Sequence, residues 1–322
     1  MHAYPELLQL INTKIAETSF GSNPKELYDP ITYMMSLGGK RLRPVLTLMA
    51  ADLFGAQIHK ALDAALAIEV FHNFTLVHDD IMDNAPLRRG KETVFQKWSM
   101  PVAILSGDLM LIRSIDLLAK TESNQFAQLL AVFNDTAAKV CEGQQIDMNF
   151  ESQLQVSHEQ YIEMITLKTA VLLGASLEIG ARVANASEED AKNLYEFGKC
   201  IGIAFQIQDD MLDSFGQTAE VGKRIGGDIA CNKKTLLLIE LLASVHKDDA
   251  TLLQSLLAET NEDVKIEGVL ALYEKYQIKA FAESQKQQYL DRAFHHLQAV
   301  SVQADRKQVL MSTAQDLMQR MN

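Results

Sequence analysis

Two stretches of this chain carry the same acidic pattern: Asp79, Asp80, Ile81, Met82, Asp83, and far downstream Asp209, Asp210, Met211, Leu212, Asp213. On a helix the first and last carboxylates of each run stack on one face a turn apart, with the middle Asp flanking them. Like charges at that spacing repel, so each run costs helix stability unless something strongly positive binds there. Two such runs point to a site that clamps several divalent cations between facing helices. Carboxylate oxygens that leave water on the metal are Mg²⁺ chemistry, and Mg²⁺ held in this way shares its shell with substrate phosphates.

Basic residues near the acids suit such an anion. Pro86 is expected to end the first helix soon after Asp83, leaving Arg88 and Arg89 in a loop where an arginine fork can hold diphosphate oxygens. The plainer alternative is that these acids and arginines pair with one another on a solvated face. Upstream, Gly38, Gly39, Lys40, Arg41, Leu42, Arg43, Pro44 reads as a second anion-binding element. Its glycines allow close backbone approach, Pro44 suits the first turn of the next helix, and Lys40 and Arg43 would reach a phosphate. Gly-Gly followed by bases is also common at simple turns. After the second run, Lys223 and Lys233 either neutralise the acids at the surface or complete a cationic rim around a metal-bound diphosphate. Lys168, followed by Thr169, lies in an otherwise apolar helix, where an unpaired lysine is costly without an anion.

The elements that must position these groups are helical throughout. Apolar residues recur at three and four spacing over Leu42 to Phe54, Ala61 to Met82, Val102 to Leu118, Phe126 to Glu142, Tyr161 to Ala184, Glu188 to Ser214 and Lys234 to Leu242. No strand is needed. Ser157 with Gln160, and Ser187 followed by acids, mark helix starts. Gly38 with Gly39, Gly55, Gly216 and the Gly226, Gly227 pair mark ends and turns. No linker composition divides the chain, so the expectation is an all-α bundle forming one domain over residues 1–322. From about Ala250 onward the sequence is polar and Gln-rich, and reads as surface helices closing the bundle.

Composition sets the outer limits. With 322 residues, 48% of them hydrophobic, and a net charge of −12, this is an ordinary globular chain whose main partner is not nucleic acid. Cys141, Cys200 and Cys231 read as small buried hydrophobes in a reducing compartment. The longest apolar stretch, Ala61 to Val77, is interrupted by Asp63, Glu69 and His72, and the start lacks a signal-peptide core. A cytoplasmic protein without a membrane span is therefore expected.

Taken together these motifs resemble the trans-isoprenyl diphosphate synthases, the polyprenyl synthetase family. The resemblance is carried by Gly39, Lys40 and Arg43, both D-D-x-x-D runs, Arg88 with Arg89, Lys168 with Thr169, Phe205 with Gln206, and Gly222, Lys223 to Gly227, Asp228. Where many members have Gly before the last lysine, this chain has Asn232 before Lys233. The resemblance implies an isoprenoid synthase helical bundle around a central cavity, a homodimer, and ligands for Mg²⁺ (three ions with substrate bound) at Asp79, Asp83 and Asp209. It implies that Arg88, Lys168, Thr169, Gln206, Lys223 and Lys233 serve an allylic diphosphate, with Asp80 and Asp210 completing the catalytic acids. Lys40, Arg43, His72 and Arg89 would hold isopentenyl diphosphate, while His78 is structural. His72 lies two turns below Asp79 on the same face, where a plain core histidine is the alternative.

Product length would be set below the first run. On a straight helix Phe71 and Thr75 lie about 12 Å and 6 Å beneath Asp79, so Phe71 should stop growth after a few isoprene units. Phe74 points roughly 140° away from that line, yet an aromatic five positions before the first Asp is similar to short-chain members of the family. A farnesyl or geranylgeranyl product is expected; the alternatives are a longer-chain synthase or a non-catalytic partner subunit, which would be expected to lose some acids or bases.

Overall fold

The computed structural model describes residues 1–153, 155–216 and 225–319. The chain forms two compact units, one of Met1–Asn134, Ala175–Tyr195 and Val300–Val309, the other of Asp135–Gly174, Glu196–Ala299 and Leu310–Asn322.

The first unit opens with helices α1 (Tyr4–Glu17), α2 (Lys25–Ser36), α3 (Leu42–Leu53) and α4 (Leu62–Met82). A hairpin of β1 (Leu87–Arg88) and β2 (Lys91–Glu92), the short α5 (Val94–Lys97) and α6 (Met100–Ala119) follow, and α7 (Phe126–Ser152) begins here. Helix α4 is the centre of this unit. Every residue from Ala64 to Phe71 is buried, because all but Glu69 are apolar and this part of the helix packs against both α3 and α6. The hairpin corrects the expectation that no strand occurs. Leu87 pairs with Glu92 and Arg88 with Lys91, leaving Arg89 (φ 52°) and Gly90 (φ 73°) as a two-residue loop. Two consecutive left-handed residues give the turn twist that matches a hairpin. A two-residue strand is too short to leave an alternating pattern in sequence.

The second unit contains most of α7, then α8 (His158–Ile165), a π-helical turn (Thr166–Ala170), the start of α9 (Val171–Val183) and the greater part of α10 (Glu188–Phe215). It is completed by α11 (Gly227–Ala230), α12 (Leu236–Ser244), α13 (Lys247–Leu257), α14 (Glu262–Lys275), α15 (Ile278–Ala299) and the end of α16 (Ala304–Gln319). Its core gathers Tyr161, Ile165, Ile207, Met211, Leu236, Leu237, Val269 and Tyr273. The expected capping box is present: Ser157 Oγ accepts from Gln160 N while Gln160 Oε1 accepts from Ser157 N. The C-terminal helices are less purely superficial than their composition implies, since Lys265 and Lys286 are buried, with Lys286 Nζ donating to Gln208 Oε1 at 2.6 Å. Of the three cysteines only Cys200 is buried, so Cys141 and Cys231 are not core residues.

The helical run His158–Val183 has the length and apolar content of a membrane span, and 78% of its most apolar window is buried within the protein.

Candidate active site

In the first unit the acidic run stands at the very end of α4. Asp79 is in the last turn, Met82 is the last helical residue, and Asp83 caps the helix, its N–H donating to Asp79 O at 2.8 Å. The break is made by Asn84 at φ 48°, two residues before Pro86. Asp83 is exposed and Asp79 half-buried, but Asp80 is turned inward and is only 1% exposed. Its Oδ1 accepts from Arg88 Nε at 2.8 Å and meets Arg88 Nη2 at 2.7 Å. Burial raises the Asp80 pKa against the pull of Arg88, and its Oδ2 is buried with no hydrogen-bond partner among the described residues.

A cationic nest lies along the same helix. Arg43 Nη1 meets His72 Nε2 at 3.2 Å, and Arg89 Nη1 donates to Gly38 O. Gly39 sits at φ 125°, and a Cβ there would fall 2.8 Å from the Arg89 guanidinium carbon, so only glycine lets that arginine lie across the turn. Burial, then Arg43, Arg89, Arg88 and Arg41, hold the His72 pKa well below its ordinary value. His72 is thus neutral, with Nε2 free to accept from Arg43. Burial likewise lowers Arg43 to about 10, with Glu69 opposing the shift and Arg89 adding to it. Lys40 is exposed, and its main-chain oxygen accepts from Tyr4 Oη at 2.5 Å. Beneath Asp79, Phe71 is 1% exposed and packs on Phe74 and Phe133, with ring centroids 5.7 and 5.2 Å away. Phe74 also stacks edgewise on His78 at 4.8 Å, and Thr75 Oγ1 is tied to His72 O at 2.8 Å.

In the second unit an open cleft gathers Lys168, Thr169, Gln206, Asp210 and Lys233, together with Asp147 and Tyr161. Asp210, 4% exposed, accepts a 2.5 Å hydrogen bond from Tyr161 Oη. Burial pushes its pKa up to about 7, although the Tyr161 bond and Lys233 pull it down. Asp209 is exposed on the same helix. Asp213 accepts from Asp228 N at 2.9 Å, which ties the acidic helix to the start of α11. Lys233 Nζ lies 3.5 Å from Asp228 Oδ1. Burial alone would lower the Lys233 pKa, but Asp228, Asp210 and Asp147 together raise it.

Lys168 is not the unpaired lysine expected from sequence, since its Nζ meets Asp147 Oδ2 at 2.6 Å. The π-turn presents Lys168 to that acid and Thr169 to Gln206, whose Oε1 accepts at 3.3 Å. Helix α7 can approach the turn because Gly143 is there: a Cβ would lie 2.2 Å from Lys168 N. Asn232 takes φ 54°, the left-handed conformation that Asn tolerates best after Gly, and its Nδ2 donates to Leu257 O at 3.0 Å. Asparagine is thus accommodated at the left-handed position before Lys233. Lys223, with Gly222, lies outside the described residues.

Asp147, Tyr161 and Glu69 were not singled out from sequence as functional, and Asp228 entered only as the end of the Gly222 to Asp228 segment. Asp147 had a signal, an acid close after Gln144 and Gln145 on a helix whose other face is apolar. Tyr161 had none, being an ordinary apolar position in its helical period. Among the described residues no three His, Cys, Asp or Glu side chains converge to cage a metal ion alone. Exposed carboxylates in ones and twos, with a buried orphan oxygen on Asp80, are a donor set that fits Mg²⁺, which keeps waters and takes the remaining ligands from substrate phosphates.

Residues 24–274 match the Polyprenyl synthetase family, and the chain belongs to it. It is 33% identical to a short chain isoprenyl diphosphate synthase of Methanothermobacter thermautotrophicus over 97% of this chain and 96% of that one. It is 37% identical to a geranylgeranyl diphosphate synthase of Saccharolobus solfataricus, over 93% of this chain and 91% of the relative. A crystal structure of a geranylgeranyl pyrophosphate synthase superposes with a TM-score of 0.95 at 41% identity, covering 99% of each chain. The all-α isoprenoid synthase fold expected from sequence is thereby established.

Proposed function

We propose that this chain joins isopentenyl diphosphate head to tail to an allylic diphosphate, dimethylallyl, geranyl or farnesyl, giving a short-chain all-trans prenyl diphosphate and free diphosphate. Membership of the polyprenyl synthetase family makes it a prenyltransferase. The observation that carries the reading is the cleft of the second unit, where Lys168, Lys233, Thr169 and Gln206 gather beside an acidic helix. Together with the arginine nest around His72, it gives the chain two sets of cations suited to two diphosphates.

In this reading Arg88, Lys168 and Lys233 bind the allylic diphosphate. Mg²⁺ held by Asp79, Asp83 and Asp209, three ions in all with substrate, would supply positive charge against the leaving group. Arg88, fixed by Asp80, and Lys168, fixed by Asp147, are held in place before substrate arrives, so little reorganisation is needed as the carbon–oxygen bond ionises. Lys40, Arg43, His72 and Arg89 hold isopentenyl diphosphate. Its double bond attacks the allylic carbon, a proton leaves the adjacent carbon, and the departing diphosphate accepts it. Phe71, buried and braced by Phe133, is the floor that limits product to farnesyl or geranylgeranyl length. The complete set of acids and bases argues against a non-catalytic subunit. Residues 1–322 are read as one polyprenyl synthetase domain, because the family match runs through both compact units. The protein is taken to work in the cytoplasm as a homodimer.

Diphosphate release tests the reaction. It is expected only when isopentenyl diphosphate, geranyl diphosphate and Mg²⁺ are all present; release from geranyl diphosphate alone would instead indicate a cyclase or hydrolase.

A further inference from the structure

Arg41 stands in the middle of the Gly38 to Pro44 element, between the two residues assigned to phosphate. Its φ is 48°, a conformation that a residue with a long side chain adopts only where its surroundings hold it. Those surroundings are visible. The side chain is 3% exposed; Nη1 donates to Glu69 Oε1 at 2.5 Å and Nη2 to Met35 O at 2.5 Å. Glu69 is equally buried, and its Oε1 takes a second bond from Asn73 Nδ2 at 2.9 Å, the same amide donating to Glu69 O at 2.8 Å. Glu69 and Asn73 flank His72 on one turn of α4. A buried charge pair thus ties the loop to the helix where Arg43 meets His72.

A pair this buried returns little stability beyond its own desolvation cost, so its worth is better sought in what it fixes. The left-handed residue is also the kink that sets the directions of Lys40 before it and Arg43 after it. We infer that Arg41 is a positioning residue which, through Glu69, aims Lys40 and Arg43 at the diphosphate of the non-allylic substrate. The inference rests on the proposed function for the identity of that substrate, and on the geometry of the loop for the rest.

The test uses the full chain with two variants, Arg41→Lys and the double variant Arg41→Met with Glu69→Leu. Lysine keeps the charge but cannot bond Glu69 and the Met35 carbonyl at once. The double variant removes the pair without leaving a buried unpaired charge, and is expected to melt near the wild type. Binding of inorganic pyrophosphate and of isopentenyl diphosphate is measured calorimetrically without metal, and KM is measured for each substrate. The expected result in both variants is a loss of about tenfold in pyrophosphate and isopentenyl affinity, with the KM for geranyl diphosphate changed by less than about twofold. Unchanged affinity in the folded double variant, or an equal rise in both KM values, overturns the inference. A wild-type protein that forms no prenyl product overturns the proposed function instead, and the pyrophosphate measurement then decides the role of Arg41 alone.

Discussion

Tyr161 donates a 2.5 Å hydrogen bond to Oδ2 of Asp210, and both residues are buried. The counterpart in the first run is Asp80, equally buried and holding Arg88. In each D-D-x-x-D run the second aspartate is therefore turned inward as an anchor, while its neighbour at Asp79 or Asp209 is left nearer to solvent. The two anchors differ in kind, a guanidinium in one case and a phenol in the other. Tyr161→Phe removes a hydrogen bond to a buried carboxylate, and is expected to cost about 2 kcal/mol of stability and about tenfold in kcat. Melting curves and steady-state kinetics check both; an unchanged kcat would show that Asp210 needs no such support.

Breaking the other anchor should cost more. Asp80→Ala leaves Arg88 without its partner, and a loss of about 3 kcal/mol is expected, with a larger KM for the allylic substrate. Asp80→Asn keeps an acceptor for Arg88 Nε and should lie between the two. Chemical denaturation of the three proteins orders them.

His72 gives a pH dependence of definite sign. Its pKa in the folded chain lies well below the ordinary 6.5, so on acidification the unfolded chain takes up this proton first. The stability it contributes is complete above pH 6.5 and is lost as pH falls below that value. Replacing His72 by Asn should flatten the dependence of Tm on pH on the acid side of that value; an unaltered slope would mean that other groups set it.

The proposed role of Phe71 as the stop to chain growth is tested by size. Phe71→Ala removes a ring that touches Phe74 and Phe133, so a loss of about 3 kcal/mol accompanies the substitution. The product should lengthen by one or more isoprene units. A folded variant with an unchanged product spectrum would count against Phe71 as the stop.

Much of this was readable in the sequence because it depends on local rules. The three-and-four period located α3, α4, α6 and α10 to within a few residues, and the Ser157 capping box marked the start of α8. Partnerships made between helices left no such trace. The pairing of Lys168 with Asp147 joins positions 21 apart, and depends on a π-turn and on the missing side chain of Gly143. Arg41 has no role of its own in the sequence pattern, because a pattern of residue types does not record which side chain faces inward. The hairpin at Arg89 and Gly90 was missed for a different reason, since its strands are shorter than one period of alternation. Asn232 was readable only as an exception, until its left-handed backbone explained it.

The central claim is tested most directly by sizing the products formed when the purified protein is incubated with isopentenyl diphosphate and geranyl diphosphate in Mg²⁺. The account predicts an all-trans farnesyl or geranylgeranyl diphosphate and no product without the cation. Absence of any prenyl product under these conditions, or a product longer than geranylgeranyl, would contradict it.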